Sequence, residues 1–261
     1  MAALRIAHLY PAQMNIYGDR GNVLTLVQRC RWRGIAVQVD GIAPGQRVDW
    51  TRYDLAFFGG GQDSGQALIA EDFVQRHGPE VRAAIADGLV MLAICGGYQL
   101  LGHYFLTHTG EKLPGIGALD CYTVGGTRRL IGNIVVAWSA GAGAAERIRP
   151  RAEALPAAPT PAYLVGFENH SGRTYLGAGV QPLGRVVRGY GNNGEDGTEG
   201  AVYQHAHGCY LHGSLLPKNP HFADHLLRLA LQRRYGHAAA LTPLDDTFEQ
   251  QAHAAMVTRL L

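Results

Sequence analysis

Short apolar runs, separated by stretches of helical period and by glycine-rich breaks, organise the first hundred residues. Leu4 to Tyr10 reads as a strand, followed by the polar loop Tyr17-Gly18-Asp19-Arg20-Gly21-Asn22. Asn22 is suited to cap a helix from Val23 to about Arg33, which Gly34 closes. Ile35 to Val39 reads as a second strand. Asp54 to Phe58 reads as a third and runs directly into Gly59-Gly60-Gly61. Asp72 is expected to open a helix in which Phe73, Val74, Val81 and Ile85 recur at roughly helical spacing. Leu89 to Ile94 is the fourth strand. Strands alternating with helices of this length predict an α/β fold whose mostly parallel sheet is covered by helices on both faces. Ligands then bind at the carboxyl ends of the strands, where Gly59 to Gly61 and Cys95 both fall.

The second half predicts antiparallel additions to that sheet, with strands over Ile131 to Trp138 and Tyr163 to Phe167. Residues 140–162, rich in Ala, Pro and Gly, read as a mobile surface insertion. Gly189 to Gly200 is a long Gly- and Asn-rich loop, and Gly208-Cys209-Tyr210-Leu211-His212 follows a last strand. Helices are expected over Leu226 to Tyr235 and from Thr247 to Leu261. With no internal repeat and no linker, 1–261 is read as one domain: a core over about 5–235 and a helical tail over 236–261.

Composition narrows the function classes. A formal charge of +2 over 261 residues argues against nucleic acid or an anionic membrane as partner. No apolar run approaches bilayer length, and the N-terminus lacks the pattern of a signal peptide. Four widely spaced cysteines, Cys30, Cys95, Cys121 and Cys209, point to reduced thiols and a cytoplasmic setting.

The candidate chemistry centres on Ala93-Ile94-Cys95-Gly96-Gly97-Tyr98, read as strand, sharp turn, helix. A cysteine there sits at a helix N-terminus, where the macrodipole favours the thiolate, and the glycines allow close approach of backbone and substrate. His212 is the best-placed of twelve histidines to serve it, because it ends a strand-like run on the same rim. The glycines after Phe58 offer backbone donors for an oxyanion, and no GxxxxGK[ST] phosphate loop occurs. His205, His207, Cys209 and His212 have the spacing of a metal set, but one strand seldom closes a tetrahedron, so no metal is expected. Strand alternation would turn Arg128 and Arg129 to opposite faces, so that only one enters a pocket.

The elbow, with Gln99 after it, resembles the nucleophile motif of class I glutamine amidotransferases. Several further segments narrow the resemblance to the branch related to cobyric acid synthase and to the glutaminase subunits of lipid II isoglutaminyl synthases. They are Tyr17 to Asn22, Gly59 to Asp63, Arg129 to Asn133, Gly166 to His170, Gly189 to Asn193 and Tyr210 to Gly213. The resemblance implies a flavodoxin-like sheet. It also implies a Cys95 nucleophile, a His212 proton shuttle, and oxyanion contacts from the backbone at Gly60 and Gly96. Arg129 would hold glutamine's α-carboxylate, and Gln99 would shape the pocket. Class I enzymes carry a glutamate two residues after the histidine, where this chain has Ser214. Either a Cys–His dyad operates, or Glu168 or Asp19 orients the imidazole. The resemblance further implies a heterodimer with a Mur-ligase-like partner that carries ATP and magnesium and amidates lipid II at the inner membrane face. A corrinoid synthetase as the partner, or a non-catalytic module on the same scaffold, are the other readings.

Overall fold

The computed structural model describes residues 3–61, 63–139, 162–237 and 240–261. The expected 140–162 insertion, apart from Ala162, lies outside the described residues. The first half alternates as expected through β1 (Leu4–Leu9), α1 (Arg20–Trp32), β2 (Val37–Ile42), β3 (Leu55–Phe58), α2 (Asp63–Asp72), α3 (Gly78–Ala86), β4 (Val90–Ile94) and α4 (Gly96–Leu101). The second half begins with short β5 (Tyr104–Leu106) and β6 (Lys112–Pro114), then long β7 (Cys121–Trp138) and β8 (Tyr163–Leu176). There follow β9 (Gly184–Arg188), β10 (Thr198–Glu199), β11 (Ala201–Tyr203), β12 (Ala206–Cys209), α5 (Pro220–Tyr235) and α6 (Thr247–Leu260).

Two six-stranded sheets result. The first runs β11-β12-β4-β3-β1-β2 and is parallel except for β11 at its edge. Its centre is apolar on both faces: every residue of β3 (LAFF) and β4 (VMLAI) is buried, as a parallel sheet under helices requires. The antiparallel additions do not extend this sheet but form a second one, β10-β9-β7-β5-β6, with β8 on β7. An isolated bridge, Phe167 with His212, joins β8 to the loop after β12, and a second, Gln181 with Val202, reaches β11. The Phe167–His212 bridge brings the second sheet onto the carboxyl rim of the first.

Three local expectations are corrected. Asn22 does not cap α1, which begins at Arg20 after Asp19; the buried Asn22 side chain instead accepts the Leu216 N–H at 2.9 Å. Asp72 ends a helix rather than opening one. α2 runs into a π-helical turn at Phe73–His77, and α3 restarts with Pro79 in its first turn, where the missing N–H costs nothing. The helix expected from Leu226 starts at Pro220, again with proline in the first turn.

The tail is pinned to the core by a buried cation. Arg29 of α1, 1% exposed, donates to Asp224 of α5 at 2.7 Å and to both oxygens of Asp246 at 2.5 and 2.9 Å. Arg33 adds a bond to Asp224 and another to the Thr242 carbonyl. The sequence signals for this anchor lie some two hundred residues apart, so nothing local announces it.

Candidate active site

β4 delivers Cys95 to the rim in a backbone conformation (φ 49°, ψ −105°) that an L residue rarely adopts. The strain is held from both sides: Cys95 N–H donates to the Cys209 carbonyl at 2.8 Å, and its own carbonyl accepts the Gln99 N–H at 2.9 Å. Gly97 has no alternative, since a Cβ there would stand 2.7 Å from the Phe58 carbonyl oxygen. Cys95 opens into a cavity of about 370 Å³ that Tyr17, Gly61, Gln99, Arg129 and Asn169 also line.

His212 reaches the same place from the far end of the chain. Its N–H donates to the Phe167 carbonyl at 2.8 Å, which fixes its backbone, and its side chain is fully buried. Nδ1 lies 3.3 Å from Oδ1 of Asp19, also fully buried, so the imidazole donates there and leaves Nε2 for Cys95 and a reacting group. Burial alone would pull the imidazole pKa down. The negative charge of Cys95 and the hydrogen bond with Asp19 outweigh it and raise the pKa to about 10.

Asp19 therefore stands where an orienting acid is needed, although it comes from the loop before α1 rather than from the position two residues after the histidine. Ser214, at that position, donates to the Gly18 carbonyl at 2.6 Å and so fastens the loop that carries Asp19. Glu168 is engaged elsewhere. It accepts the N–H groups of Tyr190 and Gly191 at 2.8 and 2.9 Å, and burial pushes its pKa up to about 7.

The expected oxyanion donor at Gly60 is corrected by the same carboxylate. Gly60 N–H donates to Oδ2 of Asp19 at 2.7 Å, so it is not free. A Cβ at Gly60 would also lie 2.7 Å from Cε1 of His212. The next residue, Gly61, lines the cavity, and its nitrogen is 3.3 Å from where a Cβ on Gly96 would stand. Gly96 itself opens α4.

The two arginines diverge as expected, though by another cause: both sit in a register shift of β7 between Gly125 and Leu130 rather than in regular strand. Arg129 lines the cavity, its Nε donating to Asn169 Oδ1 at 2.9 Å and its Nη2 to the Asn169 carbonyl at 3.1 Å. Arg128 turns away, over the Tyr190 ring at 5.7 Å. Gln99 lines the wall and donates to the Tyr210 hydroxyl at 3.1 Å. The proposed metal spacing is dispersed: His207 packs on Phe222 and His225, while His212 turns to Asp19. Among the described residues no group of three or more His, Cys, Asp or Glu side chains is placed to hold a metal. Sequence reasoning missed Asn169 as a partner of Arg129, and Tyr17, whose hydroxyl accepts from Asn169 at 2.7 Å. Both lie in segments that carried the family resemblance, which was the available signal.

Comparison with known proteins agrees with this geometry. The CobB/CobQ-like glutamine amidotransferase domain matches residues 5–220. The chain is 39% identical to the lipid II isoglutaminyl synthase (glutamine-hydrolyzing) subunit GatD of Staphylococcus aureus strain N315, over 99% of this chain and 97% of that one. It is also 39% identical to the subunit GatD of Streptococcus pneumoniae, over 95% and 88%. Cobyric acid synthase of Pelotomaculum thermopropionicum is 36% identical, over 59% of this chain and 28% of its own length. A solved glutamine amidotransferase from Thermotoga maritima shares the fold, with a TM-score of 0.52 at 15% identity over 98% of this chain and 94% of that one.

Proposed function

This chain belongs to the family of CobB/CobQ-like glutamine amidotransferases and is a glutamine-hydrolysing subunit; from that premise we propose that its ammonia amidates lipid II. Cys95 Sγ attacks the side-chain amide carbon of glutamine, and the N–H groups of Gly61 and Gly96 hold the oxyanion that forms. His212, protonated, gives its proton to the leaving nitrogen; ammonia departs and a γ-glutamyl thioester remains on Cys95. His212 then takes a proton from water, whose oxygen attacks the thioester, releasing glutamate and restoring the thiolate. Asp19 keeps the imidazole in the required tautomer and orientation. Arg129 forks onto the α-carboxylate, and Gln99 shapes the pocket wall.

Making an amide from a carboxylate needs ATP, and no phosphate-binding loop occurs in this sequence. We therefore assign activation to a Mur-ligase-like partner, the MurT subunit, which would carry ATP and magnesium. It would activate the D-glutamate α-carboxylate of the lipid II stem peptide, to be converted to D-isoglutamine. Among the described residues no helix is long and apolar enough to cross a membrane, so the complex would meet its lipid-linked substrate through the partner, at the inner face. The observation that carries the reading is the buried convergence of Cys95, His212 and Asp19, whose last two members are 193 residues apart in sequence.

The test is reconstitution with the partner. Cys95→Ala is expected to abolish amidation driven by glutamine and to leave amidation driven by ammonium salts intact. Glutamine-driven amidation surviving in that variant would overturn the mechanism. A co-purifying corrinoid synthetase in place of the Mur-like ATPase would overturn the choice of partner.

A further inference from the structure

One continuous chain of contacts runs from Arg129 to His212 across the mouth of the cavity. Arg129 holds Asn169 by both its side-chain and main-chain oxygens, which turns the Asn169 amide nitrogen toward Tyr17. Asn169 Nδ2 donates to the Tyr17 hydroxyl at 2.7 Å. The Tyr17 ring then meets the His212 imidazole edge-on, with centroids 5.0 Å apart and planes at 72°. Tyr17 holds a left-handed backbone conformation (φ 52°), unusual for a bulky residue, two positions before Asp19. That short loop therefore touches the imidazole twice, by the Tyr17 ring and by the Asp19 carboxylate.

Among the described residues Arg129 bonds to Asn169 and to no carboxylate, although its fork matches one. A ligand carboxylate arriving there competes for the same guanidinium that now orients Asn169. We propose that Asn169 and Tyr17 are positioning residues that couple occupation of Arg129 by the substrate's α-carboxylate to the placement of His212. The inference rests on the glutaminase reading and deepens it. Amides that lack an α-carboxylate are rejected through turnover as well as through affinity, because they leave Arg129 on Asn169 and do not shift the Tyr17 ring against the imidazole. An α-carboxylate is what distinguishes free glutamine from the many simple amides of the cell, so the coupling acts as a specificity device.

The experiment measures steady-state hydrolysis by the full chain of two substrates: glutamine, and 4-aminobutanamide, which is glutamine without its α-carboxylate. Tyr17→Phe keeps the ring against His212 and removes only the hydroxyl. Its kcat for glutamine is expected to fall by at least ~5-fold, the lower end of coupling between two sites, with KM within ~2-fold of the parent. Its rate on 4-aminobutanamide is expected to match the parent. Asn169→Leu breaks the same chain at a second place, so the double variant should lose no more kcat than the worse single one. Equal losses on both substrates would make Tyr17 mere packing for His212 and overturn the coupling. Unchanged glutamine turnover, or losses that multiply in the double variant, would overturn it too. A parent chain that hydrolyses neither substrate would instead overturn the glutaminase reading beneath it.

Discussion

A carboxylate can orient an imidazole only if its other oxygen is satisfied, and Asp19 meets that condition through the Gly60 N–H. Glu168, the other acid considered, is satisfied by two backbone N–H groups and leaves His212 alone. The consequence for His212 is electrostatic. With its pKa raised from 6.5 to about 10, it is a proton donor at neutral pH, and that capacity is lost as pH rises through about 10. The same shift contributes stability that is complete below 6.5 and disappears across the same rise. Asp19→Asn keeps the shape and removes the charge. It is expected to cut kcat for glutamine by ~10²-fold or more and to move the alkaline limb of the pH–rate profile to lower pH. An unmoved limb would mean that Asp19 does not tune the imidazole. Recognition is tested separately. Arg129→Ala should raise KM for glutamine by ~30- to 100-fold, the loss of about 2–3 kcal/mol of charge-assisted bonding, whereas Arg128→Ala should change it little. Similar KM values in the two variants would contradict the assignment.

Elements differ in how plainly the sequence announces them. β3 and β4 were legible because both their faces are buried, which writes an unbroken apolar run that ends in glycine. The elbow after β4 was legible for the same reason, and with it Cys95. α2 was not, because its sequence, DSGQALIAED, carries little one-sided apolar pattern, and the π-helical turn after it hides the boundary at Asp72. β7 and β8 were read only at their apolar ends. Their glycine- and arginine-rich middle, where Arg129 sits, carries no period-two signal, because the register shifts there. The acid at Asp19 was the hardest to read, since a loop contact across 193 residues leaves no trace in local spacing. Ser214 makes that contact testable at the level of the element. If its bond to the Gly18 carbonyl holds the Asp19 loop in place, Ser214→Ala should lower kcat for glutamine several-fold with KM little changed, and kcat at the parent value would deny it that role.

Across the whole molecule, stability and chemistry share the same buried charges. The Arg29 knot ties α1, α5 and the tail together, and removing the cation leaves Asp224 and Asp246 without it. Arg29→Ala is expected to destabilise the fold by about 3–5 kcal/mol in denaturant titration, and a change below about 1 kcal/mol would show that the tail is not held this way. Acid should act through the histidines. Burial pulls the pKa of His8 and His225 down to about 4 and that of His170 and His207 down to about 3. As pH falls below 6.5 the unfolded chain takes up protons that the folded chain refuses, so the melting temperature should decline steadily toward pH 4. A flat melting temperature over that range would contradict the neutral, buried state of these side chains.

The chemistry turns on one covalent bond, formed at Cys95. The four free cysteines are all buried, yet only Cys95 lines the cavity; burial pushes Cys30 and Cys121 up to about 12 and holds Cys209 well above its usual value. The direct measurement is rapid acid quenching of the chain during glutamine turnover, followed by peptide mass spectrometry. A γ-glutamyl thioester is expected on the peptide that contains Cys95, and on none that contains Cys30, Cys121 or Cys209. An adduct on another cysteine, or turnover that continues in Cys95→Ala without any adduct, would contradict that expectation.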